Sequence, residues 1–202
     1  MAFSPKSVGR ALIGITGAQG VGKSTFCNTV SANLSIKTPV QVHLALSIGE
    51  RLKALGIPLG SSASADSVAA VYCAHLHREL DENAGIVLLD RCAVDALAYV
   101  RALQVTSRAQ TELYERLTAY LVRSLRLVIH LEMRGIFSTT SATHETAELR
   151  TEVARLVPEI IAELGIPSVS VYAADPGAAE LVAAKIVEHT AVVGVPPHRT
   201  IC

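Results

Sequence analysis

Short apolar runs alternate with longer stretches of helical periodicity along most of the chain. Apolar runs of this length are typical of buried strands, whereas stretches that repeat apolar residues every three to four positions predict helices. Five strands are predicted, at 11–16, 40–44, 86–89, 127–131 and 169–172. Helices are predicted at 23–33, 47–55, 65–82, 93–104, 109–123, 146–164 and 177–189. Pro158 lies inside the sixth of these helices and predicts a kink or a break there.

The alternation of strands and helices predicts how the strands are connected. Right-handed crossovers through helices produce a parallel sheet between two helical layers. The run at 86–89 is continuously apolar, as expected for a strand that is covered on both faces. The predicted fold class is therefore a three-layer α/β fold with a parallel five-stranded sheet flanked by helices. Ligands bind such sheets at the carboxyl ends of the strands, where the segments after Thr16, Leu89 and Leu131 should meet.

Composition limits the number of domains and the kind of partner. The 202 residues, half of them hydrophobic, fit a single domain over 1–190, followed by a loosely held tail at 191–202. Neither a long apolar span nor a signal peptide is apparent, so we expect a cytoplasmic protein without a membrane partner. The 18 basic and 18 acidic residues give no net charge, and three Phe, five Tyr and no Trp are present. This composition argues against a nucleic-acid partner.

The segment after the first predicted strand matches the pattern G-x-x-x-x-G-K-[ST] of a phosphate-binding P-loop. Glycines allow a tight turn that brings backbone amides to phosphate oxygens, and the following helix directs its positive end at the same anion. Lys23 is predicted to reach the outer phosphates, and the Ser24 hydroxyl to ligate Mg²⁺, so ATP and Mg²⁺ are the predicted cofactors. The predicted nucleotide-binding residues are Gly17, Ala18, Gln19, Gly20, Val21, Gly22, Lys23, Ser24 and Thr25.

Asp90 and Arg91 follow the third predicted strand and extend the phosphate site. Asp90 should lie beside the first strand, where it could hold Mg²⁺ directly or through water. An alternative, compatible with this role, is that Asp90 caps the helix that begins near Cys92. Hydrolytic motors usually carry a Glu at the next position, but this chain has Arg91, which cannot act as a base and can hold a phosphate. The Asp90–Arg91 pair therefore favours transfer of a phosphoryl group to a bound substrate over hydrolysis of the nucleotide.

Residues 15–26 and 89–99, the latter reading LDRCAVDALAY, resemble the small P-loop nucleoside and nucleotide kinases. The similarity is greatest to the nicotinamide-riboside-kinase-like ATPase group of bacterial NAD regulators, and it extends roughly over 11–190. Residues 148–153, ELRTEV, resemble the helix that follows the lid in that group. The resemblance implies an acceptor-covering region at about 47–82 and a lid at about 133–148. It also implies that Arg91 acts at the acceptor or the transferring phosphate, and Arg150 near the ATP phosphates.

Within the acceptor-covering region, Glu50 and Arg51 are the charged candidates. A Glu within reach of an acceptor hydroxyl can serve as general base, although a solvated helix face would explain both residues equally well. The lid departs from the related enzymes, because 140–145, TSATHE, has neither residue of their Asp-Gly-x-Arg segment. The lid is therefore either rebuilt around Arg134 and Arg150 or weakened.

Two functions agree with these features. The first is an ATP-dependent kinase that phosphorylates a nucleoside, a nucleotide or a similar small-molecule acceptor, and the Asp90–Arg91 pair favours it. The second is a nucleotide-binding regulatory protein or weak ATPase, which the altered lid favours. The sequence does not name the acceptor, and it leaves a homodimer open.

Overall fold

A computed structural model describes residues 10–45, 47–79, 85–134 and 145–191. The strands in this part of the chain are β1 (Arg10–Thr16), β2 (Val42–Ala45), β3 (Gly85–Asp90), β4 (Leu125–Leu131) and β5 (Ser168–Val171). The α-helices are α1 (Lys23–Lys37), α2 (Ile48–Ala54), α3 (Ala65–Glu79), α4 (Ala93–Leu103), α5 (Arg108–Val122), α6 (Ala147–Glu163) and α7 (Ala178–Ala191). A 3-10 turn at Gly60–Ser62 lies in the connection between α2 and α3.

The five strands form one parallel sheet in the order β2-β3-β1-β4-β5. Ile15 of β1 pairs with Asp90 of β3, and Thr16 pairs with His130 of β4. The carboxyl ends of these three strands therefore meet at one edge of the sheet, as the sequence predicts. The three-layer fold is confirmed, with β4 beginning at Leu125, slightly before its predicted start.

Helices cover both faces of the sheet. Leu12, Val87 and Leu89 are buried against α3, α4, α5 and α6. Ile13 and Leu88, the neighbours of these residues along the strands, are buried on the opposite face against α1 and α7. Each such side chain contributes about 1.5–3 kcal/mol relative to an exposed one. Burial on both faces explains why β3 is apolar throughout its length until Asp90.

Helix α6 continues through Pro158, where the sequence predicts a kink or a break. The helix runs from Ala147 to Glu163 and includes Pro158, so the break that the sequence suggests there is absent. Proline inside a helix costs about 3 kcal/mol because it removes a hydrogen bond and crowds the preceding turn. Val157 and Ile160, on either side of Pro158, are fully buried. The packing of this face outweighs the local cost.

Two predicted segments lie largely outside the described residues. They are most of the lid at 133–148 and nearly all of the tail at 191–202. Their roles stay predictions. In the described ranges, no helix combines the length and the apolar character that crossing a membrane requires.

Candidate nucleotide-binding site

The P-loop connects the carboxyl end of β1 to the first turn of α1. Gly17 has a φ of 144°, and a Cβ there would lie 2.6 Å from the Leu131 carbonyl oxygen at the end of β4. Gly20 and Gly22 also have positive φ, at 85° and 83°. In the part of the chain that the structure describes, no side chain caps the first turn of α1, which Gly22 precedes. The first-turn amides thus lack a side-chain cap, and the helix dipole favours an anion there.

Lys23 is folded back onto the P-loop. Its Nζ donates to the carbonyl oxygens of Gly17 at 2.7 Å and Ala18 at 2.5 Å. The residue is only 6% exposed. Burial, followed by repulsion from Arg91, lowers the pKa of Lys23 to about 7. A polyphosphate anion bound at this position would further favour the charged form of Lys23.

Ser24 and Asp90 are brought together although 66 residues separate them. The Ser24 hydroxyl donates to Asp90 Oδ2 at 2.8 Å, and Asp90 is 5% exposed. A hydroxyl beside a carboxylate is the oxygen donor set that Mg²⁺ prefers. Within the described ranges, no group of three or more His, Cys, Asp or Glu side chains could hold a metal without further ligands. Phosphate oxygens of the nucleotide would complete the shell, so these two residues fit Mg²⁺.

Asp90→Asn should reduce nucleotide affinity in Mg²⁺ by about 10-fold or more. The amide keeps the shape and can still contact Ser24, but it removes the charge that attracts the ion. Calorimetric titrations with ATP in Mg²⁺ and in EDTA measure both affinities. Affinity in EDTA should change less than about 3-fold, because no cation is there to lose. An equal loss under both conditions would assign Asp90 a structural role only.

Asp95 connects the P-loop to Arg91. Its carboxylate accepts from the Gly17 amide at 3.4 Å, the Cys92 amide at 3.0 Å and Arg91 Nη1 at 3.4 Å. The residue is 2% exposed, so these contacts compensate for a buried charge. Asp95 also closes the capping box of α4. The helix-capping contact considered for Asp90 is therefore made by Asp95.

Arg91 turns into the site through a left-handed backbone, with a φ of 71° and its amide bonded to the Ile15 carbonyl at 3.0 Å. Its guanidinium lies 5.7 Å from the centre of the Tyr99 ring. Arg91 precedes α4 and forms an ion pair with Asp95 in the first turn of that helix. Among the described residues, the guanidinium donates one hydrogen bond, through Nη1 to Asp95, which leaves most of its five donors available. Arg91 is thus held in place and can still bind an anion.

Arg150 contacts the P-loop from α6. Its Nε donates to the Gln19 carbonyl at 3.2 Å, and the residue is 6% exposed. Its Nη2 lies 3.0 Å from the position that a Cβ on Gly20 would take. The structure therefore places Arg150 beside the P-loop, as the resemblance implies. Its role toward phosphates stays a prediction.

A cavity of about 400 Å³ extends from the P-loop into the interior of the protein. One end is lined by P-loop residues together with Asp90, Arg91 and Asp95. Helices α2, α3 and α4 form the other walls, which are mostly apolar. The apolar side chains there include Ile48, Val68, Val71, Tyr72, Ala96 and Leu103. The cavity thus joins the P-loop, the predicted phosphate site, to a chamber that could hold a small organic molecule.

The remaining predicted residues, Glu50, Arg51 and Arg134, lie at the edge of the cavity or outside it. Glu50 is at the rim of the cavity, but its side chain is 76% exposed and pairs with Lys53 at 3.3 Å. Arg51 is exposed on the same helix. Arg134 pairs with Glu132 at 2.9 Å and with Asp175 at 3.5 Å, beyond the ends of β4 and β5. These contacts tie Arg134 to the β5 side of the sheet edge.

Besides Asp95, two further side chains at the cavity, Glu145 and His75, were not predicted as functional. Glu145, at the end of the predicted lid, accepts from Tyr99 Oη at 2.5 Å. His75 lines the α3 wall, and Arg78 Nη2 lies 3.2 Å from its Nδ1. Burial and the charge of Arg78 lower the pKa of His75 to about 3, so it is neutral at physiological pH. A single His or Glu in a weakly patterned segment gives no sequence signal that would single it out.

The AAA domain family profile matches residues 12–177. No curated protein sequence matches the chain. A solved NadR protein in complex with NR is 17% identical, with a TM-score of 0.68 over 96% of this chain and 54% of that one. A NadR protein in complex with NAD and AMP-PNP is 18% identical, with a TM-score of 0.60 over 95% of this chain and 52% of that one.

A third similar structure is the thymidylate kinase from Ehrlichia chaffeensis. It is 15% identical, with a TM-score of 0.60 over 89% of this chain and 99% of that one. The chain spans about half the length of the two NadR structures. At such low identities, the three likenesses show a shared fold.

Proposed function

The chain belongs to the AAA domain family, and on that premise we propose that it is an ATP-dependent kinase of a small nucleoside-like or nucleotide-like metabolite. Its resemblance to the P-loop nucleotide kinases is confirmed at the level of the fold. Nucleotide binding agrees with this family and with the AMP-PNP in one similar structure. The proposal adds to nucleotide binding one further activity, the transfer of the γ-phosphate to a bound acceptor.

The continuous cavity carries this proposal. It joins the P-loop, the Ser24–Asp90 pair and Arg91 to a largely apolar chamber between α2, α3 and α4. A site that only hydrolyses ATP needs room for a water molecule beside the γ-phosphate. A volume of about 400 Å³ with apolar walls suits an organic acceptor.

Each residue has a role that follows from its position. The P-loop amides, Lys23 and Arg150 would bind the phosphates of ATP and orient the γ-phosphate. Ser24 and Asp90 would hold Mg²⁺, which neutralises phosphate charge when bound. Arg91 would contact the acceptor or the charge that develops during transfer. The position after Asp90 is thus occupied by a cation, which cannot act as the base that deprotonates an attacking water molecule.

Incubating the protein with Mg²⁺-ATP and a panel of nucleosides, nucleoside monophosphates and nicotinamide riboside tests the proposal. We expect slow ADP release without acceptor and an increase of about 100-fold or more with the correct one, as positioning and electrostatic stabilisation supply the rate. Mass spectrometry should find the acceptor heavier by one phosphoryl group, in amounts equal to the ADP formed. Inorganic phosphate as the only product with every acceptor would contradict the kinase.

A nucleotide-binding regulatory protein or weak ATPase is the second candidate. The observation that favours it is the lid sequence at 140–145, which contains no Arg. An Arg at the transferring phosphate can be worth about 10³-fold or more in rate. Nucleotide binding with slow hydrolysis and no acceptor product is the expected result for this alternative.

A further inference from the structure

The cavity contains carboxylates that could accept the proton of an acceptor hydroxyl, and their contacts distinguish them. Glu50 is 76% exposed and paired with Lys53. Asp90 is engaged by the Ser24 hydroxyl, and Asp95 already accepts from two backbone amides and Arg91. Glu145 is the half-buried carboxylate whose contacts leave room for a further donor.

Glu145 lies where the two halves of the cavity meet. Its Oε1 accepts from Tyr99, which stands on the α4 wall of the acceptor chamber. The Gln19 side chain, oriented with its amide nitrogen toward the carboxylate, donates to Oε1 at 2.7 Å and to Oε2 at 3.1 Å. Gln19 belongs to the P-loop. The carboxylate therefore bridges the phosphate side and the acceptor side, between which the phosphoryl group would move.

The contacts of Glu145 also decide which oxygen is available. Each carboxylate oxygen has about two acceptor sites. Both sites of Oε1 are engaged, by Tyr99 and Gln19, whereas Oε2 receives only the longer contact from Gln19. Among the described residues, no other donor contacts Oε2. This oxygen can accept the proton of a hydroxyl that enters the cavity.

The backbone that follows holds Glu145 over the cavity. The Thr146 amide donates to the Ser61 hydroxyl at 3.1 Å, and Ser61 lies in the region predicted to cover the acceptor. The Thr146 hydroxyl accepts from the Leu149 amide at 3.2 Å and caps α6. Glu145 is thus fixed between a helix cap on one side and the acceptor-covering region on the other.

We propose that Glu145 is the general base of the reaction, an inference that rests on the proposed kinase function. The acceptor oxygen forms a bond to the γ-phosphorus, and the bond from that phosphorus to the bridging oxygen of ADP breaks. ADP leaves with the electron pair of that bond. The acceptor hydroxyl proton passes to Glu145 Oε2. The carboxylic acid then returns the proton to solvent after the products leave.

Glu145→Gln should lower kcat about 10²–10³-fold while the dissociation constant of ATP changes less than about 3-fold, because a positioned base contributes to the transition state. The acceptor is the compound that gives the largest rate in the panel above. Glu148→Gln, an exposed carboxylate in the first turn of the same helix, is the matched control and should keep the wild-type rate. Melting temperatures of both variants report on folding.

Chemical rescue separates a base from a structural contact. In Glu145→Ala, added formate should restore part of the lost rate, because a small carboxylate can occupy the vacated position. Rescue should be absent in wild type and in Glu148→Ala. An unchanged rate in Glu145→Gln would overturn the proposal. A large loss of rate in Glu50→Gln without a loss in Glu145→Gln would also overturn it, as would a loss in Glu145→Ala that formate does not reduce.

The role of Glu145 can be tested even if the protein is not a kinase. If no acceptor of the panel is phosphorylated, water is the remaining nucleophile, and slow ATP hydrolysis becomes the measured rate. Glu145→Gln should lower that rate by the same factor, because the base would then take a proton from water. Hydrolysis that is equal in wild type and Glu145→Gln would overturn the role of Glu145 in that case.

Discussion

Lys23→Ala should weaken ATP binding about 100-fold, or about 2.8 kcal/mol at 1.4 kcal/mol per tenfold. Lys23 is the P-loop cation, and a charge-assisted hydrogen bond to phosphate contributes about 1.5–3 kcal/mol. The fold should persist, because the hydrogen bonds that Lys23 makes within the described ranges are to the carbonyls of Gly17 and Ala18, both in the P-loop itself. Calorimetric titration with Mg²⁺-ATP measures the loss.

The matched control is Lys185→Ala on α7, where the lysine pairs with Glu188 at the surface. ATP affinity in this variant should equal that of wild type. Binding of ATP by Lys23→Ala with wild-type affinity would contradict the assignment of the P-loop as the phosphate site.

Proton uptake gives a second readout of Lys23. Burial and Arg91 hold its pKa near 7 in the free protein, and bound phosphates favour the charged form, which raises this pKa. Above pH 7, the complex then holds more protons than its separate components, so ATP affinity should fall as the pH rises. Uptake from this group should be about half a proton at pH 7 and close to one at pH 8.

Calorimetry in buffers of different ionisation enthalpy measures this uptake. ATP titrates too, but its contribution is common to wild type and Lys23→Ala, so the difference between them isolates the lysine. Equal uptake in the two proteins would show that the protonation of Lys23 does not change when ATP binds, which would contradict this prediction.

Arg91→Ala should reduce the acceptor-dependent rate about 10³-fold while ATP affinity changes less than about 3-fold. The guanidinium lies in the cavity beside Asp90, where it would stabilise charge that develops during transfer. Arg91→Lys should not restore the rate, since an ammonium cannot replace a planar, bidentate donor. Initial rates with and without the acceptor provide both values.

Arg108→Ala, a change to a side chain that is 94% exposed, is the control and should keep the wild-type rate. If Arg91 only supports Asp95, Arg91→Ala should lower the melting temperature and ATP affinity together with the rate, since Asp95 also holds the Gly17 amide. Rapid hydrolysis without acceptor, unaffected by Arg91→Ala, would reject the kinase and leave an ATPase.

Local patterns in the sequence determined the P-loop end of the cavity, where we predict that phosphate binds. The P-loop needs glycines, a lysine and a hydroxyl at fixed spacing between a strand and a helix, so a short segment carries the whole signal. Asp90 was predictable as a neighbour of Ser24, because strand-ending residues meet at one edge of a parallel sheet. The apolar pattern likewise determined the order and type of the helices and strands, since each must bury its own apolar side chains.

Only the tertiary structure decided what surrounds the phosphate end. Asp95 contacts Gly17 across 78 residues, and Arg150 contacts Gln19 across 131. Such contacts depend on how α4 and α6 pack against the sheet, which no local spacing encodes. Packing also determined that α6 continues through Pro158 and that Glu50 faces solvent. The lowered pKa of Lys23 has the same origin, because burial and the approach of Arg91 exist only after the chain has folded.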